Sequence, residues 1–367
     1  MNLLQEGQVI RGTYVVERFL GQGAFAEVYR VQHPFLGRQA MKVFKQPGTA
    51  EDTKEALDEA VTLSKIGHRN IIRVFDADVM QSAKGTYGFF TMEYIAGGSL
   101  QQYWQSYGDK FVPVEDVIHV LRQVCEGLAV AHLDSPPIVH RDIKPQNILV
   151  GYDNLGLRAC ISDFGLAKRI NPLRQALSAR GTRCFKAPET FVNPQADSCA
   201  GDVWALGLTL YLLLTDRFPY SGGDLDELDY RDFERPLIPP SRLNIQVDSN
   251  LDEIIFRALA VKREQRYQHA REMLEDLNRW QPHAQSQPAK VKAAVAASET
   301  TKMAMGQPVS TDETKAREMA KEALKLARNF STLGEASDLM EEAFNKWPPL
   351  RNDYESRVGR WRCGIMA

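Results

Sequence analysis

Two short stretches place side chains able to do chemistry close together in sequence. VHRDIKPQNILV, residues 139–150, carries Asp142, Lys144 and Asn147, and the SDFG at 162–165 adds Asp163. Together they supply two carboxylates, an amide and an ammonium. Hard divalent ions take oxygen ligands, and a small one such as Mg2+ keeps several waters and shares phosphate oxygens, so a sparse protein shell suits it. The ammonium is then left for a phosphate. GQGAFAEVYR, residues 21–30, hints at the same ligand: Gly21 and Gly23 would let backbone N–H groups approach an anion. Ala26 stands where the third glycine of G-x-G-x-x-G belongs, so this stretch alone is equally a tight turn between strands.

Groups this far apart in sequence need a scaffold on both sides. Residues 14–48 read as strands: YVVERFL and AEVYRVQ are rich in β-branched and aromatic residues, with GQGAF as the turn. QAMKVF follows as a third strand, with Ala40, Lys42 and Phe44 on one face by the period of two. EDTKEALDEAVTLSKI, 51–66, reads as a helix with acids in its first turn. From about residue 114 helical patterns dominate: VEDVIHVLRQVCEGLAVAHL, WALGLTLYLLLT, LDEIIFRALA and AREMLEDLNRW, around a loop-rich centre at 134–200. A small strand-rich lobe leading into a larger helical one is expected, with the functional loops between them.

After Trp280 the composition changes. The stretch from 281 to about 311 is rich in Ala, Gln, Ser, Pro and Lys and reads as a flexible linker. Thr311 is an N-cap candidate, and three further helical segments up to about residue 362, two of them separated by Pro348 and Pro349, suggest a small helical module. Its apolar residues would form a core of its own, through which a partner or a second copy could dock.

The bulk numbers exclude some classes. The chain has 367 residues, 44% apolar and 25% charged, with a formal net charge of −2, so nothing global draws it to nucleic acid or an anionic membrane. Five cysteines (Cys125, Cys160, Cys184, Cys199 and Cys363) stand at irregular spacing, which suits reduced thiols better than disulfides or a zinc site. The N-terminus lacks a sustained apolar stretch, and the longest apolar run, 205–214, is too short to span a bilayer. A cytoplasmic protein with no nucleic-acid or membrane partner is expected.

The ordered set of motifs carries a resemblance. H-R-D-x-K-P-x-N-I-L at 140–149, D-F-G at 163–165, A-P-E at 187–189 and D-V-W-A-L-G at 202–207 resemble those of eukaryotic-like (Hanks-type) Ser/Thr protein kinases over about residues 14–280. The resemblance implies an α+β bilobal protein-kinase fold: a lead-in at 1–13, a β-rich N-lobe at 14–92, a helical C-lobe at 96–280, the linker at 281–311 and the helical extension at 312–362. It implies ATP and Mg2+ as cofactors, Mn2+ being an alternative ion, and protein substrates with Ser or Thr acceptors. Asp142 then resembles the catalytic Asp that accepts the hydroxyl proton, and Lys144 the lysine that stabilises the transferring phosphoryl group. Asn147 and Asp163 resemble the metal ligands, and Lys42 the lysine holding the α- and β-phosphates. ATP is expected against Leu20, Gly21, Gln22, Gly23, Ala24, Phe25, Ala26, Glu27, Val28, Ala40 and Leu149. Met92 would control the back of that pocket, and the Glu93–Ile95 backbone would bond the adenine. Beside the other motif residues the glycine stretch reads as a working phosphate loop, with Phe25 at its tip and Ala26 in the returning strand.

Glu59 shares a helical stripe with Ala56, Leu63 and Ile66, so it either looks out at the edge of that stripe or is paired inside. Its spacing from His68 fits the family's acid, and a Lys42–Glu59 ion pair is expected. Glu189 and Arg266 fit the pair that fixes the helical lobe. His140 reads as a brace and not a base, while Arg141 beside the catalytic Asp needs a counter-charge, which in such kinases is often an activation-segment phosphate. That segment, 166–186, holds two hydroxyl residues, Ser178 and Thr182. Thr182 fits the substrate platform, leaving Ser178 as the regulatory candidate. Several basic residues there could be held by anions or could simply form a solvated loop. Cys184 is a conceivable redox handle or, more simply, an inert thiol. Gln146 stands where kinases preferring basic substrates often have Glu. Two other functions are weighed against an active kinase: a pseudokinase scaffold would lack Lys42, Asp142 or Asp163, and a small-molecule phosphotransferase would not need the A-P-E segment. Mass-spectrometric mapping of active protein is expected to find phosphate on Ser178; an unmodified Ser178 in active enzyme overturns that assignment.

Overall fold

The computed structural model describes residues 2–24, 26–45, 47, 57, 66–82, 85–108, 110–153, 156–164, 183–220, 230–282, 311–327, 333–347, 350–351, 354, 358 and 361. The chain divides into two compact units, 1–280 and 281–367.

The first unit begins with a six-stranded antiparallel sheet. Its strands are β1 (Val9–Ile10), β2 (Tyr14–Gln22), β3 (Ala26–His33), β4 (Gly37–Phe44), β5 (Val74–Ser82) and β6 (Gly85–Glu93), in spatial order β1-β2-β3-β4-β6-β5. Strand alternation splits the side chains into two cores. Met41 and Val43 of β4 join Tyr29, Val31, Tyr87 and Phe89 on one face, whereas Ala40 and Phe44 join Ala26, Phe90 and Met92 on the other. β2 runs two residues further than expected, through Gly21 and Gln22, and pairs with β3 through register shifts at Val16/Arg18 and Phe19/Gly21. Such bulges bend a strand and re-aim its end.

The lead-in is not a tail. Gly7 and Gln8 exchange backbone hydrogen bonds with Val16, Leu3 donates its N–H to the Glu27 carboxylate at 2.8 Å, and Leu4 donates to the Tyr29 hydroxyl at 3.0 Å. Leu4 and Ile10 are buried in the first core, so residues before 14 complete the outer face of the sheet.

Helices follow: α1 (Leu100–Gln105), α2 (Val114–His132), α3 (Pro188–Val192), α4 (Cys199–Thr215), α5 (Ser249–Ala258) and α6 (Ala270–Arg279). Between α2 and α3 lies the hairpin β7 (Ile148–Asp153) and β8 (Gly156–Ile161). α4 is apolar almost all round because it is buried almost all round. Ser198 caps its start by accepting from Gly201 N–H, and Asp216, in the left-handed region at φ 55°, ends it. α2 packs on β8 and α6, and Arg122 donates to the carbonyls of Leu277 and Trp280, which closes the unit where the composition changes.

Arg266 is the best-satisfied cation in this lobe. It makes a bidentate pair with Glu189 at 2.9 and 2.7 Å, donates to Ala260 and Val261 carbonyls, and lies 4.9 Å from the Trp204 ring centre. Only the planar fork of an arginine can make this set of contacts.

The second unit holds α7 (Thr311–Leu326) and α8 (Leu333–Lys346), with helical residues again at 350–351, 354, 358 and 361. Ala316, Ala320 and Ala323 of α7 meet Ala336, Met340 and Ala343 of α8, and Leu350, Val358 and Trp361 complete a core of its own. Small residues at these spacings let the two helices approach closely.

Arg266→Ala leaves Glu189 buried without its partner, a loss of about 3–5 kcal/mol for a pair of this kind. A large drop in melting temperature, with Arg266→Lys recovering only part of it, is the expected calorimetric result; a melt unchanged by Arg266→Ala overturns it.

Candidate active site

Backbone conformation builds the site before any side chain does. Arg141 and Asp163 are two of the four non-glycine residues with left-handed φ, at 71° and 61°. Such conformations persist only where the surroundings hold them, and they cluster at functional sites. For Arg141 the hold is explicit. The buried Asp202 accepts His140 N–H and Arg141 N–H, each at 2.7 Å, and His132 Nε2–H at 3.0 Å.

His140 then ties the two chemical loops together. Its Nε2 lies 2.9 Å from the Ser162 carbonyl and its Nδ1 accepts Asp142 N–H at 3.2 Å, which defines a neutral ring protonated on Nε2. The Phe164 ring packs 4.5 Å away. Burial pushes the His140 pKa down, with Asp202 and the Ser162 carbonyl acting in the opposite direction.

The side chains converge from there. Asn147, in a short 3-10 turn at Pro145–Asn147, spends both amide hydrogens on Asp142, one on its backbone oxygen and one on Oδ2, each at 2.8 Å. That leaves the Asn147 Oδ1 as the atom to offer a cation. Lys144 Nζ lies 3.0 Å from the same Asp142 Oδ2. Across the cleft, Lys42 of β4 reaches the Asp163 Oδ1 at 2.5 Å. Burial alone would raise the Asp163 carboxyl, but the Lys42 ammonium, helped by more distant His140 and Lys144, holds it below the usual range.

Glu59 lies outside the described residues, as do Phe25, Ser178 and Thr182. Among the described residues the partner of Lys42 is Asp163. Val28, Ala40, Met92, Ile95 and Leu149 come together around one apolar cluster under the sheet, where an adenine would be buried. Leu20 is outside that cluster and 37% exposed. Gly21, Gln22, Gly23 and Ala24 form the end of β2 and the turn after it, closed by Gly23 N–H to the Ala26 carbonyl at 2.9 Å. A Cβ on Gly21 or Gly23 would meet nothing within 4 Å, so the chain itself does not need glycine there; the cradle is open to a ligand. Ala26 faces the lower core, 2% exposed.

Glu27 departs from the expected ATP contacts. Alternation turns its side chain to the outer face, where it is buried against the Tyr29 hydroxyl and Leu3 N–H. Gln22 likewise is engaged outside, accepting from Lys45 at 2.8 Å. In the linker between lobes the Glu93 N–H is already bonded to the Arg73 carbonyl, and its carboxylate is clamped by Arg158 at 2.5 and 3.1 Å. Arg141 has Asp197 as its acidic neighbour, at 4.0 Å.

Sequence reasoning missed Arg158, His132 and Asn70. Arg158 is a lone cation in an ordinary strand, and no local pattern announces its partners. Asp202 sits in the quoted D-V-W-A-L-G, and its burial between two histidines follows only from the fold. Among the described residues no group of three or more His, Cys, Asp or Glu could hold a metal ion alone. The Asn147 and Asp163 oxygens fit instead an ion that shares its shell with phosphate.

A β-sheet lobe and a helical lobe enclosing paired Lys–Asp and Lys–Asp–Asn groups define the protein-kinase class of phosphotransferase fold. Residues 14–279 match the model of the protein kinase domain, and the chain belongs to that family, in its Hanks-type Ser/Thr branch. It is 30% identical over 277 residues to a probable serine/threonine-protein kinase of Clostridium acetobutylicum, covering 74% of this chain and 40% of that one. It is 29% identical over 272 residues to the serine/threonine-protein kinase PknB of Mycobacterium leprae, covering 72% and 42%. This chain thus spans about two-fifths of the length of those relatives. The crystal structure of the Mycobacterium tuberculosis PknI kinase domain matches with a TM-score of 0.55 at 27% identity, over 75% of this chain and 98% of that one. A double mutant of the same domain gives 0.59 at 25%, over 76% and 98%. The family as a whole uses ATP and a divalent metal and acts on proteins.

A group with a depressed folded pKa binds fewer protons than in the unfolded chain, so stability is retained above the unfolded value and lost as pH falls below it. For His140 that value is 6.5. Melting temperature is therefore expected to fall on acidification below about 6.5, and His140→Asn, which removes the titrating ring, should reduce the slope in that window. An unchanged slope in the variant refutes the assignment.

Proposed function

We propose that this chain is an active protein kinase that transfers the γ-phosphoryl group of Mg-ATP to Ser or Thr hydroxyls of protein substrates. The observation that carries the reading is the convergence of Lys144 and Asn147 on one carboxylate, Asp142, with Lys42 and Asp163 facing it. All groups that a pseudokinase scaffold would lack are in place. The A-P-E helix α3, anchored by Arg266, supports a peptide-binding platform over a small-molecule acceptor site.

In this reading the apolar cluster around Ala40, Met92 and Leu149 buries the adenine and the open turn at Gly21–Ala24 covers the phosphates. Asn147 Oδ1 and the Asp163 carboxylate would hold Mg2+, which when bound neutralises charge on the phosphate oxygens. Asp142 orients the acceptor hydroxyl and takes its proton as the new O–P bond forms. Lys144, 3.0 Å from Asp142, is placed to offset charge on the transferring group, and the bond to the β-phosphate oxygen breaks to leave ADP. Because Asp142 is held by one amide and one ammonium, it stays ionised and fixed for this task. The 312–362 helices, with a closed core of their own, support a separate docking module.

With radiolabelled ATP and a generic protein substrate, the wild-type chain is expected to incorporate label. Asp142→Asn should lower the rate by about a hundredfold or more, as loss of a general base does, while circular dichroism stays unchanged. Full activity in Asp142→Asn, or none in the wild type, contradicts the reading.

A further inference from the structure

The rim of the catalytic loop is basic where the chain as a whole is not. The chain has 45 Lys and Arg against 47 Asp and Glu, yet residues 165–186 carry six Lys or Arg and no Asp or Glu. The last two of these cations are described, and they bracket the buried Cys184 and Phe185 of a 3-10 turn. Arg183 is exposed, its guanidinium 5.2 Å from the Phe191 ring centre.

Lys186 is closer to the chemistry. Its Nζ donates to the Arg141 carbonyl at 2.7 Å, so the ammonium sits against the residue that precedes Asp142. It lines, with Asp142, Ile143, Thr190 and Asp197, a small cavity beside the catalytic loop. Its side chain keeps 29% of its exposure. An ammonium has three donors. One is on the Arg141 carbonyl and one is directed at Asp197, 3.6 Å away, which leaves one for a ligand.

The carboxylates nearby are already engaged. Asp197 faces both Lys186 and Arg141, Glu189 is paired with Arg266, and Asp202 is buried among its three donors. Gln146, exposed after Pro145, adds no charge. Desolvation pushes the Lys186 pKa down, with Asp142 and Asp202 pulling it back only in part, as expected of a cation short of counter-charge.

We propose that Lys186 is a specificity-determining residue, selecting protein acceptors with Asp or Glu beside the phosphorylated hydroxyl. Arg141 and Arg183 extend the same basic lip. An acidic side chain docked there gains a charge-assisted hydrogen bond in a partly desolvated place, whereas a lysine or arginine meets like charge. The inference rests on the kinase reading above and names its substrate class.

Steady-state kinetics of the full-length chain test it with peptides identical except for Glu, Ala or Lys placed in turn on either side of one Ser. The wild type is expected to favour the best Glu peptide over its Lys counterpart by about tenfold in kcat/KM, a typical range for one pocket contact. Lys186→Met should erase that ratio, and Lys186→Glu should invert it. A ratio that persists in both variants, or an equal loss on every peptide, would mean that Lys186 only braces the Arg141 carbonyl, and overturns the proposal. Wild-type preference for the Lys peptide overturns it too. Absence of transfer to every peptide and to the chain itself would instead sink the kinase reading, and this proposal with it.

Discussion

A carboxylate buried in the helical lobe, Asp202, sets the geometry on which the site depends. Burial alone would push its pKa up, but hydrogen bonds and charge from His132, with help from His140, keep it below the ordinary carboxylate range. An ionised acid in the interior must be fully bonded, and this one is bonded to two consecutive backbone N–H groups of the catalytic loop. Those two bonds force the loop to turn through Arg141 at a left-handed φ. His132 is itself oriented by accepting Ala270 N–H at 3.2 Å, so the N-terminus of α6 takes part in aiming the acid. The position of Asp142 is thus set by a chain of bonds that starts at the far side of the lobe.

A second set of contacts relates the sheet lobe to that loop. Arg158 of β8 bonds both Glu93 oxygens and also donates twice to the Arg69 carbonyl, at 3.0 and 2.7 Å. Asn70, next in the chain, donates to Gln123 of α2 and to the Ala159 carbonyl, and its own carbonyl accepts Ile161 N–H. Gly127 of α2 allows this approach, since a Cβ there would meet the Asn70 carbonyl oxygen at 2.9 Å. The connection between lobes and the loop at 66–72 are therefore fastened to the strand that leads into Asp163. Relative movement of the lobes is confined to the side of the cleft that carries the glycine turn.

Much of this was legible in the sequence, and the reason is locality. The catalytic loop, the glycine turn, Lys42 on its strand and the helices around α4 announce themselves through residue type and spacing within a few residues. Ala26 in the returning strand and the break at Trp280 are likewise local facts. What was not legible is pairing at long range. Glu27 looks like part of the nucleotide loop until strand alternation and the N-terminal segment claim it for the outer face. Leu4 and Ile10, in a stretch that resembles a tail, close a core made mostly of residues far along the chain. Arg158 and His132 carry no signal of their own, because what matters is the buried acceptor that the fold brings to them.

The pairing inside the cleft has a consequence for how it works. Lys42 is neutralised by Asp163, and Lys144 shares Asp142 with Asn147, so no charge in the site stands without an opposite neighbour. Such pairs keep partly buried charges tolerable in a cleft with nothing bound. They also mean that a nucleotide is recognised by exchange: phosphate oxygens take the place of the Asp163 carboxylate beside Lys42, and a cation takes the place of Lys42 beside Asp163. Charge is conserved in that swap, so its free energy is smaller than any one of the contacts suggests. Asp142 differs from Asp163 in this respect. Its amide and ammonium partners are neighbours in sequence and remain when the other pair separates, so the proton acceptor keeps its geometry while the phosphate-binding pair is remade.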